Sequence, residues 1–152
     1  MSGKYLKMAN NMIKFYSNKG QFGALLGTEK FQAIQADEGR LKVEFKVEQD
    51  MTNHFGTLHG GYTATIVDIF TTAALMCTKH EHPGVSVDLH VTYLAAAKVG
   101  ETLVLDSTVT KQGRTLAFTK AEIFRKDDNR LIATAVHTKA FPPIRENFNE
   151  KK

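Results

Sequence analysis

Asn53-His-Phe-Gly-Thr-Leu-His-Gly-Gly-Tyr-Thr-Ala-Thr-Ile-Val-Asp68, running on to Thr78, is the stretch on which the fold turns. From His59 to Thr78 there are twenty residues and a single formal charge, Asp68. No proline interrupts the run, and its glycines lie only at the start. Such a segment reads as a helix that is apolar almost all round, so it belongs in an interior rather than on a surface. Gly56, Gly60 and Gly61 let the backbone at the helix N-terminus come close to a ligand. A membrane span fits poorly. Five threonines, two opening glycines and a central Asp oppose it, and an Asp at mid-membrane costs ~3 kcal/mol even on lenient insertion scales.

At 152 residues the chain is expected to form one domain, 1–152, that buries ~70% of its unfolded surface. Hydrophobic content of 42% and charged content of 24% are ordinary for a soluble globular protein. The formal net charge of +4 comes without a long Lys/Arg cluster or an aromatic-basic stripe, which argues against nucleic acid and suits an anionic small molecule. The one cysteine, Cys77, lies inside the apolar run and cannot make an intrachain disulfide, which points to a reducing, cytoplasmic compartment. Residues 1–28 hold four lysines and no acid, so a mitochondrial address is a second reading, weakened by the absence of arginine there.

Upstream, Leu6–Tyr16 has the spacing of one amphipathic helix, ended by Asn18-Lys-Gly20, with a short helical turn over Phe22–Leu26. Phe31–Ala36 reads as a short strand. Leu41, Val43, Phe45 and Val47 alternate with charged residues, as in a strand with one wet face. Downstream, Val85–Tyr93, Thr102–Thr110, Leu116–Phe124 and Leu131–Phe141 are strands separated by turn signals, the last three a meander. The tail from Pro142 is polar and expected to fray. The architecture predicted is α+β: one curled antiparallel sheet of about six strands wrapped around one long central helix. The sheet's open edges invite a second copy of the chain.

Asp68 is the first candidate for chemistry, because a lone carboxylate buried on an apolar helix is a strong base or nucleophile; the alternative is a structural Asp bonded to a threonine or backbone amide. The Gly60 N–H, at a helix start, can stabilise an oxyanion. The two are eight residues apart, ~12 Å along a helix, too far to act on one carbonyl. If both are catalytic, Asp68 of one chain must meet Gly60 of another, with two equivalent sites per dimer. Asn53 can hold a substrate carbonyl or a water, and His59 can cap the helix. Ser86 can orient a water, and strand alternation puts Asp88 and His90 on its face. Lys111-Gln-Gly-Arg114 tips a hairpin that can grip phosphate, with Lys98 a similar candidate. Cys77, His80 and His82 straddle a helix end and do not make a convincing metal site.

Gly56-Thr-Leu-His-Gly-Gly61 followed by Asp68, with Gly84-Val-Ser-Val-Asp88, Lys111-Gln-Gly-Arg-Thr-Leu-Ala-Phe118 and His137-Thr-Lys139, resembles the hotdog-fold thioesterases of the phenylacetyl-CoA type over about residues 40–140. The resemblance implies hydrolysis of medium- and long-chain acyl-CoA by a homotetramer, a dimer of hotdog dimers, with no cofactor beyond the coenzyme A of the substrate and no metal. It implies Asp68 as base or nucleophile, Gly60 as oxyanion donor, Asn53 placing the thioester, Ser86 orienting water, and His59 and His137 in support. Coenzyme A is expected along Tyr93–Lys98 and Lys111–Leu116, with Gln112, Gly113, Arg114, Thr115, Ser86, Asp88 and His137 among its contacts. Ala96 and Ala140 depart from the family pattern at a proline and a basic position. A phosphatidylcholine-transfer protein is the partner that the resemblance suggests. The rival readings are an acyl-CoA binder that does not cut and a dehydratase or hydratase on the same fold. The carboxylate two turns into the helix fits hydrolysis better than hydration.

Overall fold

A computed structural model describes residues 3–17 and 22–142. The expected helix stop at 18–20 and the tail from 143 lie outside these residues. Helix α1 (Gly3–Tyr16) precedes two 3-10 turns, Phe22–Leu26 and Thr28–Lys30. Then follow β1 (Gln32–Asp37), β2 (Arg40–Lys46), a third 3-10 turn (Gln49–Met51), α2 (Gly60–Met76), β3 (Val85–Tyr93), β4 (Thr102–Gln112), β5 (Leu116–Arg125) and β6 (Leu131–Ala140). All six strands form one antiparallel sheet in the order β1-β2-β4-β5-β6-β3. The expected elements are present, with ends moved by at most three residues. No helix among the described residues is long and apolar enough to cross a membrane.

The sheet curls round α2. Its C-terminal half, Ile69 to Leu75, is wholly buried. Phe70 packs against Phe31, which stacks in turn on Phe45 of β2, with ring centroids 4.9 and 4.6 Å apart. The threonines that seemed out of place in so apolar a helix are satisfied locally. Thr63, Thr65, Thr71, Thr72 and Thr78 each donate a hydroxyl to a carbonyl three or four residues back. They therefore cost little when buried.

The edge strand β3 is exposed along nearly its whole length, with Val85, Val87, Leu89 and Tyr93 open in the single chain. It follows Gly84, whose φ is +61° and whose absent Cβ would sit 2.8 Å from the Ala140 carbonyl oxygen. Only glycine fits that approach. Immediately beyond, the pairing with β6 slips: Ser86 faces Lys139, but Asp88 faces Thr138. This bulge corrects the expected alternation. Ser86 shares the concave face with Lys139 and His137, while Asp88 and His90 fall on the convex face beside Thr138 and Val136.

Candidate active site

Helix α2 begins at His59, whose Nδ1 accepts the Gly61 N–H at 2.9 Å and caps the first turn. Gly61, Ala64, Thr65 and Asp68 form one stripe that is exposed or half-buried, whereas the opposite residues are buried. The Asp68 side chain is 46% exposed in the single chain. This corrects the expected burial. The stripe runs along the open β3 edge, near Ser86 and Tyr93, rather than under the sheet.

A polar cluster converges on Asp68 from β3 and β6. Ser86 Oγ donates to Asp68 Oδ1 at 3.3 Å. His137 Nε2 lies 2.9 Å from Ser86 Oγ and 3.7 Å from Asp68 Oδ1, and its Nδ1 lies 2.7 Å from Thr71 Oγ1. Lys139 Nζ donates to Thr72 Oγ1 at 2.7 Å and stands 3.9 Å from Asp68 Oδ1. Burial pushes the His137 imidazole below its ordinary value, reinforced by the Lys139 charge and opposed by Asp68 and Asp88. Burial also lowers the Lys139 amine, against the pull of Asp68. A neutral His137 is thus the form the fold holds. With its proton on Nε2 it donates to Ser86 and leaves the serine hydroxyl turned to Asp68; with its proton on Nδ1 it accepts that hydroxyl instead. The cluster opens into a cleft of about 440 Å³ walled by Tyr16, Phe22, Ile69 and Val85.

Gly60 lies elsewhere. The Tyr93 hydroxyl donates to the Gly60 carbonyl at 2.9 Å, and both line a separate cleft of about 220 Å³ that also holds Asn53. The Asn53 side chain closes its own loop, accepting from the Phe55 and Thr57 N–H groups and donating to Thr57 Oγ1. The structure therefore brings Ser86 and His137 to Asp68, keeps Asn53, His59 and Tyr93 with Gly60, and leaves the two groups apart within one chain.

The residues expected to hold coenzyme A divide in the same way. Lys98 bridges to Thr57 beside the Gly60 cleft, its backbone N–H on Glu101. Lys111 to Leu116 form the β4–β5 hairpin, closed by Gly113 N–H to the Leu116 carbonyl at 2.8 Å, while Thr115 accepts from Phe141. Gln112, Gly113 and Arg114 share a cleft of about 480 Å³ with His80, His82 and Phe141, next to the Asp68 end of β3. Cys77 is buried, and burial pushes its thiol up to about 11. Lys139 was not among the expected site residues. Its signal was available: it follows His137 by two, so both lie on one strand face.

The thioesterase superfamily matches residues 55–132 of this chain. Acyl-coenzyme A thioesterase 13 of Homo sapiens is 46% identical over 128 residues, which are 84% of this chain and 90% of that protein. The Mus musculus protein of the same name is 49% identical over 111 residues, 73% of this chain and 79% of that protein. The crystal structure of zebra fish thioesterase superfamily member 2 superposes with a TM-score of 0.86 at 39% identity, covering 90% of this chain and 98% of that one.

Proposed function

Because this chain belongs to the thioesterase superfamily, we propose that it hydrolyses acyl-CoA thioesters, with medium- and long-chain acyl groups as substrates, in sites shared between two protomers. The observation that carries the reading is the layout along β3. Ser86, near its start, touches Asp68, and Tyr93, at its end, touches Gly60. Antiparallel pairing of this open edge with its own copy across a two-fold axis sets the start of one strand beside the end of the other. Asp68 then faces the partner subunit's Gly60, and the open stripe on α2 is covered.

In that site the partner subunit's Gly60 N–H, at a helix N-terminus, stabilises the thioester oxyanion. Water resting against Ser86 gives a proton to Asp68 as its oxygen bonds to the carbonyl carbon. The tetrahedral intermediate collapses, the C–S bond breaks, and CoA leaves as a thiolate. Attack by Asp68 itself, through an anhydride that water then opens, uses the same groups. Hydrolysis in ¹⁸O water under single turnover separates the two, since only the anhydride route can leave label on Asp68. Two such dimers joined through the convex sheet faces, where Phe118 and Val136 are open, would form the homotetramer.

The test is release of free thiol from acyl-CoAs of graded chain length by the wild type and Asp68→Asn. The expected result is turnover by the wild type and a ~10²–10⁴-fold lower kcat in the variant, with CoA still bound. Binding without thiol release by the wild type would favour the non-catalytic acyl-CoA binder, for which a carboxylate at the thioester has no use.

A further inference from the structure

Among the described residues, Lys139 is the only lysine, arginine, aspartate or glutamate that is buried, its side chain 5% exposed. An ammonium carries three N–H donors, and one hydrogen bond, to Thr72 Oγ1, is made here. The Asp68 oxygen at 3.9 Å is within ion-pair range but beyond a hydrogen bond. A cation so sparsely satisfied in an interior opposes folding, and a methionine of the same length would fill the same space. Thr72 does not need it either, because its own hydroxyl already donates to the Asp68 carbonyl at 2.7 Å. What the charge does have is a position directly behind the one carboxylate of the cleft.

We propose that Lys139 is a positioning residue for hydrolysis: its ammonium, tethered by Thr72, pairs with the Asp68 carboxylate and keeps it turned toward Ser86. The inference rests on the thioesterase reading above. The other groups facing Asp68 cannot replace it. From β6, His137 is held neutral by burial; from β3, Ser86 is uncharged; from α1, Tyr16 is a phenol whose proton burial holds in place, with the Asp68 charge adding to that effect. Lys139 is the one basic side chain among them that stands within ion-pair range of Asp68 without being held neutral.

The test compares wild type, Lys139→Met and Lys139→Gln in the thiol-release assay, with kcat, KM and melting temperature measured for each. Gln keeps a donor for Thr72 and removes the charge. Both variants are expected to fold, with Lys139→Met melting at or above the wild type. Both should lose ~10–100-fold in kcat at neutral pH with KM within about threefold. The loss falls on kcat because the ammonium orients the carboxylate and does not itself bind the acyl-CoA. Wild-type kcat in either variant, a rise in KM that accounts for the whole loss, or failure of both variants to fold would each overturn the proposal. If the wild type itself releases no thiol, the functional reading fails instead.

Discussion

His137 and Gly60 lend themselves to single-residue tests. Since burial depresses the His137 pKa, the unfolded chain binds a proton near pH 6.5 that the folded chain takes up only at lower pH. Stability should therefore fall as pH drops through 6.5 toward the folded-state value and level off below it, by up to ~1.4 kcal/mol per unit of displacement. Melting curves at pH 7.5 and pH 5.5 check this: the wild type should lose more than His137→Gln, and equal losses would show that another group governs the change. Gly60 is the first residue of α2 and follows an extended His59, a place where proline is tolerated. Gly60→Pro deletes one N–H and leaves the helix. It should lower kcat ~10²–10³-fold if that N–H meets the oxyanion.

The two decisive elements were not equally legible. Helix α2 could be read from His59–Thr78 because one charge in twenty residues leaves few other structures open, and the glycine start and Asp68 came with it. The alternating and turn-bounded strands were legible for the same local reasons. The Ser86 face was not. It depends on a bulge set where Gly84 passes the Ala140 carbonyl, a contact between segments more than fifty residues apart, and no local pattern encodes it. The β4-β5-β6 meander could be read, but the place of β3 at the sheet edge beyond β6 could not, so its exposure and the consequent opening of Asp68 to solvent in the single chain stayed hidden. If that edge pairs with its own copy, residues at its middle lie near the two-fold axis. Leu89→Asp, near the middle of β3, would set two carboxylates close together there. It should give a folded monomer by circular dichroism and sedimentation, with kcat/KM at least ~100-fold lower. A fully active monomer would refute pairing through this edge.

The molecule as a whole is a pair of half-sites. One end of β3 presents a carboxylate braced by Ser86, His137 and Lys139, and the other a helix N-terminus backed by Tyr93 and Asn53. Helix geometry alone keeps them ~12 Å apart within a chain. Co-expression of Asp68→Asn with Gly60→Pro tests the sharing directly, because each mixed dimer then carries one doubly damaged site and one intact site. The purified mixture should regain about a quarter of wild-type activity, as half the dimers are mixed and half of their sites are whole. A mixture no more active than its two inactive parents would contradict the shared site.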